Sequence, residues 1–114
     1  MDRVIFRTEK DPYISETRFV AVFPDYSKRP GYITCLSFYF SYNDMDRGTV
    51  WFEPWGEMSE TYYAKTKLVR KNSVEAKKCL AAVLQYINRH QFEPETELRI
   101  VERRNPYGRR RCRA

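Results

Sequence analysis

Histidine is nearly absent from this sequence, and cysteine is scarce. The single histidine, His90, has no second histidine with which to share a metal ion, and the three cysteines are too far apart in sequence to form the paired ligands of a zinc site or a disulfide framework. We therefore expect no metal site and no catalytic histidine. His90 is predicted to end a helix, where a cationic ring interacts favourably with the helix dipole. Cys112 lies among arginines and is expected to be exposed and oxidisable.

Glycine and long apolar runs are also in short supply. With only 4 glycines, the chain has no glycine-rich loop that could hold a phosphate group. No apolar stretch approaches the roughly 18 residues that span a bilayer. Residues 1–7 contain no apolar core of a signal peptide. We expect a cytoplasmic protein with no membrane partner, whose cysteines stay reduced.

The side chains that could act in catalysis lack partners in the sequence. Cys35 lies in an apolar strand and Cys79 lies near the apolar stripe of a helix, so both are expected to be buried thiols. Glu53, Glu57 and Glu60 flank two tryptophans, but acids in loops are usually solvated. We predict that the protein is not an enzyme and that it uses no small-molecule cofactor.

The positive charge is concentrated at the carboxyl end. The net charge is +6, yet residues 1–102 hold 15 lysines and arginines and 15 aspartates and glutamates, so the whole excess lies in residues 103–114. The arginines of that segment are Arg103, Arg104, Arg109, Arg110, Arg111 and Arg113. We predict a single domain over residues 1–102, followed by a basic, flexible tail. The tail either binds nucleic acid through counterion release or only improves solubility.

Alternating and β-branched runs predict an extended first half. Residues 4–7 and 17–23 are expected to form an antiparallel pair, and residues 32–42 form the strongest predicted strand. Residues 50–52 are predicted as an edge strand. Residues 62–69 alternate loosely and are predicted as a further strand, with a helix through Tyr63 as the alternative. In the strand over 32–42, the residues predicted to share one face are Leu36, Phe38, Phe40 and Tyr42.

A helix over about residues 73–91 is the clearest element of the second half. Asn72 or Ser73 can cap its start, and Glu75 lies near the positive end of its dipole. Its apolar stripe consists of Ala76, Leu80, Val83, Leu84 and Ile87. A final strand is expected over residues 96–102. Because a single helix must bury its stripe against a sheet face, the sequence predicts a two-layer α+β fold with a mainly antiparallel sheet of about 4–6 strands.

These elements carry a resemblance to a known family. The segments that carry it are residues 4–7, 20–25, 31–32, 63–71, the Ser73-capped helix and 98–104. Together they resemble a family of short uncharacterised bacterial proteins that are often found in phage and mobile-element neighbourhoods. This chain has Tyr42-Asn43-Asp44 where that family usually has a segment rich in glutamine and histidine. Because the family has no established activity, the resemblance implies the architecture and a mobile-element setting, and no reaction.

Aromatic residues are the clearest functional signal. The chain has 9 tyrosines, 7 phenylalanines and 2 tryptophans, more than a core of this size buries comfortably, so some should form an exposed binding surface. The residues predicted for that surface are Tyr39, Tyr42, Trp51, Trp55, Tyr62 and Tyr63. We predict a non-enzymatic protein-interaction module whose partner is another protein or a second copy of the chain.

Basic residues support an alternative prediction. Lys65, Lys67, Arg70 and Lys71 follow the last tyrosines of the predicted surface, and the arginines of the tail add to them. Cations beside aromatic rings suit single-stranded nucleic acid, because the rings stack on bases while the cations contact phosphates. The alternative function is therefore that of a nucleic-acid-binding accessory protein.

Overall fold

A computed structural model describes residues 2–10, 13, 15–89 and 97–108 of the chain. The fold is α+β and consists of a seven-stranded mixed sheet and one main helix. The strands are β1 (Asp2–Lys10), β2 (Thr17–Val22), β3 (Tyr32–Phe40), β4 (Val50–Phe52), β5 (Gly56–Ser59), β6 (Lys67–Leu68) and β7 (Leu98–Ile100). The helices are α1 (Glu60–Lys65) and α2 (Val74–Arg89), and a 3-10 turn occupies Ser41–Asn43.

The three long strands form the centre of the sheet. β1 and β2 pair antiparallel, as predicted, with Ile5 opposite Val22, and β2 pairs antiparallel with β3, with Phe19 opposite Phe38. Their β-branched and aromatic residues suit a sheet that is packed on both faces. Apolar residues on both faces of β3 fit its position inside the sheet, between β2 on one side and β4 and β5 on the other.

Each edge of the sheet is built from two short strands placed end to end. β4 and β5 both pair with β3, and β6 and β7 both pair with β1. The strand number is therefore seven rather than the predicted 4–6, because each edge is interrupted where the chain turns away from it. β7 pairs with β1 in parallel, since the chain returns to this edge after crossing the sheet as α2.

One face of the sheet, here called the helix face, packs against α2. Its buried residues include Val4, Phe6, Leu36 and Phe38 of the strands, with Ala76, Cys79 and Val83 of the helix. The Ser73 hydroxyl accepts a hydrogen bond from the Ala76 N–H at 3.0 Å, so the predicted cap is present. Stacked rings continue from Phe38 through Phe52 to Tyr86, at centroid distances of 5.1 and 4.2 Å. The helix predicted over 73–91 is thus confirmed over its described length.

The opposite face, here called the second face, has a smaller apolar cluster. Ile5, Val20, Val22, Ile33 and Cys35 form it together with Met58 and Tyr63. Its cover is α1, so the strand predicted over 62–69 is wrong for its first half, where the alternative of a helix through Tyr63 is confirmed, and the strand is limited to Lys67–Leu68. The Ser59 hydroxyl accepts a hydrogen bond from the Tyr62 N–H and caps α1 at its start.

The buried guanidinium of Arg7 caps the carboxyl-terminal end of α1. Its Nε donates to the Thr66 hydroxyl at 2.8 Å, and its Nη2 donates to the carbonyl oxygens of Thr66 at 2.6 Å and Tyr63 at 3.3 Å. The same guanidinium lies 4.2 Å from the centre of the Tyr63 ring. A cation therefore satisfies the free carbonyls at the negative end of a short helix.

Residues 103–108 contact the second face beside α1. The Tyr63 hydroxyl donates to the Arg103 carbonyl at 2.6 Å, and the Tyr107 hydroxyl donates to the Met58 carbonyl at 2.6 Å. The sequence assigned these residues to the tail, whereas the structure places them against the domain. Residues 109–114 lie outside the described part of the chain, and for them the tail remains a prediction. None of the described helices is long and apolar enough to cross a membrane.

Candidate functional site

The second face has one covered half and one open half. α1 and Tyr107 cover the half around Ile5 and Met58, and no described helix covers the half nearest the β1–β2 hairpin. A row of polar and aromatic side chains crosses this open half from β4 to α1. We call it the open strip, and its members are Glu9, Arg18, Tyr39, Trp51, Glu53 and Tyr62.

The aromatic end of the open strip lies at the β3–β4 edge. Tyr39 and Trp51 are directly paired across the two strands, so their side chains lie next to each other on the second face. Tyr39 is half-buried, while Trp51 is 55% exposed. The Trp51 indole N–H donates to the Ser41 hydroxyl at 2.7 Å, which fixes the orientation of the ring. A large, rigid aromatic surface is therefore held open to solvent.

The centre of the open strip is a charged network. Arg18 donates to Glu9 at 3.2 Å and to Glu53 at 3.3 Å, and the three side chains come from β2, β1 and the residue after β4. The Tyr62 hydroxyl, on α1, donates to the same carboxylate of Glu9. All three charged side chains are partly buried, so their interactions are screened less than those of fully exposed pairs. Two carboxylates hold one guanidinium in place, and the network has a net charge of −1.

The 3-10 turn beside the strip places one more aromatic side chain in solvent. Tyr42 has a φ of 57° and is 91% exposed, so it does not continue the face of Phe38 and Phe40, and that prediction is wrong. A left-handed conformation costs a non-glycine residue about 1–2 kcal/mol. Asn43 offsets this cost by joining the turn to the β1–β2 hairpin: it accepts a hydrogen bond from the Thr17 N–H at 2.8 Å and donates to the Ser15 carbonyl at 3.2 Å.

Two of the six predicted surface aromatics lie elsewhere. Tyr63 is only 2% exposed, because its ring packs under Arg7 in the second-face cluster, so it cannot contribute to a surface. Trp55 is half-exposed but packs against Phe23 at a centroid distance of 5.6 Å, at the opposite end of the sheet. The structure thus brings together Tyr39, Trp51 and Tyr62, with Tyr42 at their rim.

The predicted basic residues form a separate surface, here called the basic edge. Its members are Lys65, Lys67, Arg70, Lys71, Arg103 and Arg104, all exposed. The backbone joins the two segments along β1, since Val69 and Val101 donate to Phe6 and Val4 at 2.9 Å each. None of the six cations forms an ion pair within the described residues. The remaining predicted cations, Arg109, Arg110, Arg111 and Arg113, lie outside the described residues.

The basic edge and the aromatic end of the open strip lie on opposite edges of the sheet. Four strand spacings separate β4 from β6, which corresponds to about 19 Å. The single surface of rings and cations that the alternative prediction requires is therefore not formed by Trp51 and the lysines. Of the three aromatic residues in the open strip, Tyr62 alone lies on the same helix, α1, as a member of the basic edge, Lys65.

The other candidate side chains are dispersed. Burial raises the pKa of Cys35 to about 11 and that of Cys79 to about 12, so both thiols are protonated at neutral pH. Glu57 pairs with Arg29 at 3.0 Å, and Glu60 accepts a hydrogen bond from Asn105. Among the described residues, no group of His, Cys, Asp or Glu is arranged to hold a metal ion. His90 lies outside the described residues.

The sequence did not single out Glu9 and Arg18. The strand predicted over residues 4–7 stops short of Glu9, whereas β1 extends to Lys10 and its antiparallel register places Glu9 directly opposite Arg18, where opposite charges attract. Comparison with known proteins adds no assignment: no protein-family model matches the chain, and neither the curated proteins nor the solved structures contain a significant match.

Proposed function

We propose that the protein is a protein-interaction module and that the open strip is its binding surface. The observation that carries this proposal is the exposed pair of Tyr39 and Trp51 beside a guanidinium fixed by two carboxylates. Tryptophan, tyrosine and arginine are the residue types that dominate binding energy in protein interfaces. Their position on an open sheet face favours a broad macromolecular partner, because small molecules are usually enclosed in cavities.

Pre-organisation supports the same proposal. Trp51 is oriented by Ser41, and Arg18 is held on both sides, so neither side chain has to lose much conformational freedom when a partner binds. The strained backbone at Tyr42 presents a further aromatic ring at the rim. Strain of this kind persists where the surrounding contacts enforce it and occurs preferentially at functional sites. The partner is a second copy of the chain or another protein, in the cytoplasm.

The test compares two tryptophans of similar exposure. Trp51→Ala removes a member of the open strip, and Trp55→Ala is the matched control at the other end of the sheet. Self-association is measured first by sedimentation equilibrium of the full chain. If the chain is monomeric, a partner is isolated from the source cells by affinity capture and its Kd is measured with each variant. Trp51→Ala should weaken binding by about 30-fold or more, as expected of a hot spot.

The control decides between the strip and the remaining surface. Trp55→Ala should bind within about threefold of the unaltered protein, and circular dichroism should show that both variants are folded. Equal loss of affinity in the two variants would count against the open strip, as would full binding by a chain that lacks both Tyr39 and Trp51 side chains.

A second candidate function rests on the basic edge. Six exposed cations that form no ion pair within the described residues leave a polyanion as their natural partner, and Arg109, Arg110, Arg111 and Arg113 extend the charge in sequence. We propose that this edge contacts nucleic-acid phosphates without sequence preference. Replacing Lys65, Lys67, Arg70 and Lys71 by glutamine should reduce the slope of log K against log salt by about 3 units, given about 0.7–0.9 per phosphate contact.

Fluorescence anisotropy with single- and double-stranded DNA and RNA, at about 50 and 200 mM salt, measures this slope. Lys10→Gln combined with Lys77→Gln is the control for loss of charge elsewhere on the surface. A full-length protein that fails to bind at the lower salt concentration, or a fourfold variant that keeps the original slope, would exclude the basic edge as a nucleic-acid site.

A further inference from the structure

A cavity of about 310 Å³ opens at the end of the sheet opposite to the open strip. It lies between the helix face and the carboxyl-terminal end of α2, where Ile87 forms part of its wall. Three aromatic residues, Phe23, Tyr26 and Trp55, line it together. Its volume is at the lower end of the range found for small-molecule sites. We call it the aromatic cavity.

Two of the three rings form adjoining walls at an angle to each other. Phe23 and Trp55 are inclined by 49°, so their faces form a corner instead of a stack. Tyr26 follows a turn in which its N–H donates to the Phe23 carbonyl at 3.0 Å, and its hydroxyl donates to the Asp2 carboxylate at 3.0 Å. These two bonds fix the third ring. Trp55 is 50% exposed and Tyr26 is 47% exposed, so part of their aromatic surface is accessible.

The electrostatics of the aromatic cavity favour a cation. Aromatic faces are negative and attract cations, Asp2 contributes a carboxylate, and α2 directs the negative end of its dipole to this side. Among the described residues of the lining, the one cation is Lys28. Lys28 is exposed, whereas Asp2 is partly buried, so solvent screens the lysine more strongly than the aspartate.

The lining also distinguishes between kinds of cation. A primary ammonium group is strongly hydrated and needs acceptors for its three N–H donors. The cavity offers mainly ring faces and apolar side chains, and its carboxylate already accepts a hydrogen bond from Tyr26. A methylated ammonium group has no such need for acceptors, because its charge is spread over an apolar surface that rings can cover.

We propose that the aromatic cavity binds a quaternary alkylammonium group. The chemistry is common to choline-type small molecules and to trimethylated lysine in a protein chain. This site is independent of the open strip and of the basic edge, and failure of either of those proposals leaves it untouched.

The test uses the two tryptophans as reporters in the full-length, ¹⁵N-labelled protein. Choline chloride should shift the Trp55 indole N–H signal saturably and leave that of Trp51 unchanged, with sodium chloride holding the ionic strength constant. The neutral isostere 3,3-dimethylbutan-1-ol should bind about tenfold or more weakly, because it lacks the charge that the rings and Asp2 attract. A peptide with trimethyl-lysine, compared with its unmethylated form, distinguishes the source: tighter binding of the peptide than of choline identifies a protein ligand.

Two charge variants keep the test decisive even if loss of a ring disturbs folding. Asp2→Asn should weaken choline binding by about threefold to tenfold, and Lys28→Gln should strengthen it by about twofold or more. Trp55→Leu should weaken it by about tenfold or more. The proposal is overturned if choline leaves the Trp55 signal unmoved, if the neutral isostere binds as tightly as choline, or if Lys28→Gln lowers the affinity.

Discussion

Replacing Arg7 by methionine should lower the free energy of unfolding by about 2–3 kcal/mol. Methionine retains an apolar stem of similar reach but loses the guanidinium. The Thr66 carbonyl then loses its 2.6 Å hydrogen bond and stays buried, which costs about 1–3 kcal/mol. Loss of the cation from the Tyr63 ring costs about 1 kcal/mol more. Removal of a buried charge that has no carboxylate partner among the described residues offsets part of this cost.

The lysine variant tests whether geometry or charge is responsible. Arg7 uses a planar fork to reach the Thr66 hydroxyl and the carbonyls of Thr66 and Tyr63 at once. A lysine ammonium is a compact, strongly hydrated point charge that cannot reproduce this geometry. Arg7→Lys should therefore be about as destabilising as Arg7→Met. Arg3→Met is the control, because Arg3 forms an exposed pair with Asp25, and such pairs contribute little to stability.

Urea unfolding followed by far-UV circular dichroism measures all three variants, provided that the m-values agree. Hydrogen exchange adds a local readout, since the amides of α1 should exchange faster in Arg7→Met than in Arg3→Met. If Arg7→Met costs no more than Arg3→Met, or if Arg7→Lys is as stable as the unaltered protein, then the guanidinium does not hold α1 on the sheet. Tyr62, which α1 carries into the open strip, would then owe its position to other contacts.

Three further outcomes are expected. Gly48→Ala should cost about 1–3 kcal/mol in urea unfolding, because its Cβ would overlap two backbone carbonyl oxygens of the turn, whereas Gly56→Ala meets only an ordinary contact and should change stability by less than about 0.5 kcal/mol. Cys35 and Cys79, with pKa values of about 11 and 12, should resist a thiol reagent at pH 8 in the native state and react on unfolding; rapid labelling of both in the folded protein would contradict their burial. Tyr107→Phe should cost about 1 kcal/mol, and deletion of residues 103–114 should cost more than deletion of 109–114; equal stability of the two truncated chains would contradict the packing of 103–108.

The elements that the sequence predicted well are those with a long, regular pattern. The helix over 73–91 has five apolar positions at helical spacing and a serine cap, and α2 follows both signals. The first three strands carry enough β-branched and aromatic residues to be unambiguous, and the predicted antiparallel pairing of β1 with β2 is present. In each case the local preference agrees with the tertiary structure.

The elements that the sequence did not predict depend on distant partners. Residues 62–69 alternate loosely, which favours a strand over the alternative of a helix through Tyr63, and α1 is stabilised by Arg7, which is more than fifty residues away in sequence. Local signals did exist, namely the Ser59 cap, Glu60 in the first turn and Lys65 in the last. They are weak in a helix of one and a half turns, because so short a helix is unstable without tertiary contacts. β5 was missed because its first residue, Gly56, belongs to the segment Pro54-Trp55-Gly56, which is typical of a break between elements.

The aromatic surplus predicted an exposed surface but not its members. Tyr62 and Tyr63 are neighbours in sequence, yet the first lies in the open strip and the second is 2% exposed under Arg7. Composition cannot separate them, since the outcome depends on which side of α1 faces the sheet. The role of a charged residue likewise depends on the tertiary structure. Arg18 belongs to the candidate site because β1 and the residue after β4 place Glu9 and Glu53 on either side of it.

The distance between the aromatic end of the open strip and the basic edge allows the two proposed ligands to bind at the same time. Trp51, at the aromatic end of the open strip, lies on β4, four strand spacings or about 19 Å from β6, and the six cations of the basic edge form no ion pair within the described residues. This distance exceeds the Debye length of about 8 Å at physiological ionic strength, so a polyanion at the basic edge is largely screened from a partner that contacts Trp51. A protein at the aromatic end of the strip and a polyanion at the edge can therefore bind together. Trp51→Ala should then weaken the first interaction and leave the salt dependence of the second unchanged.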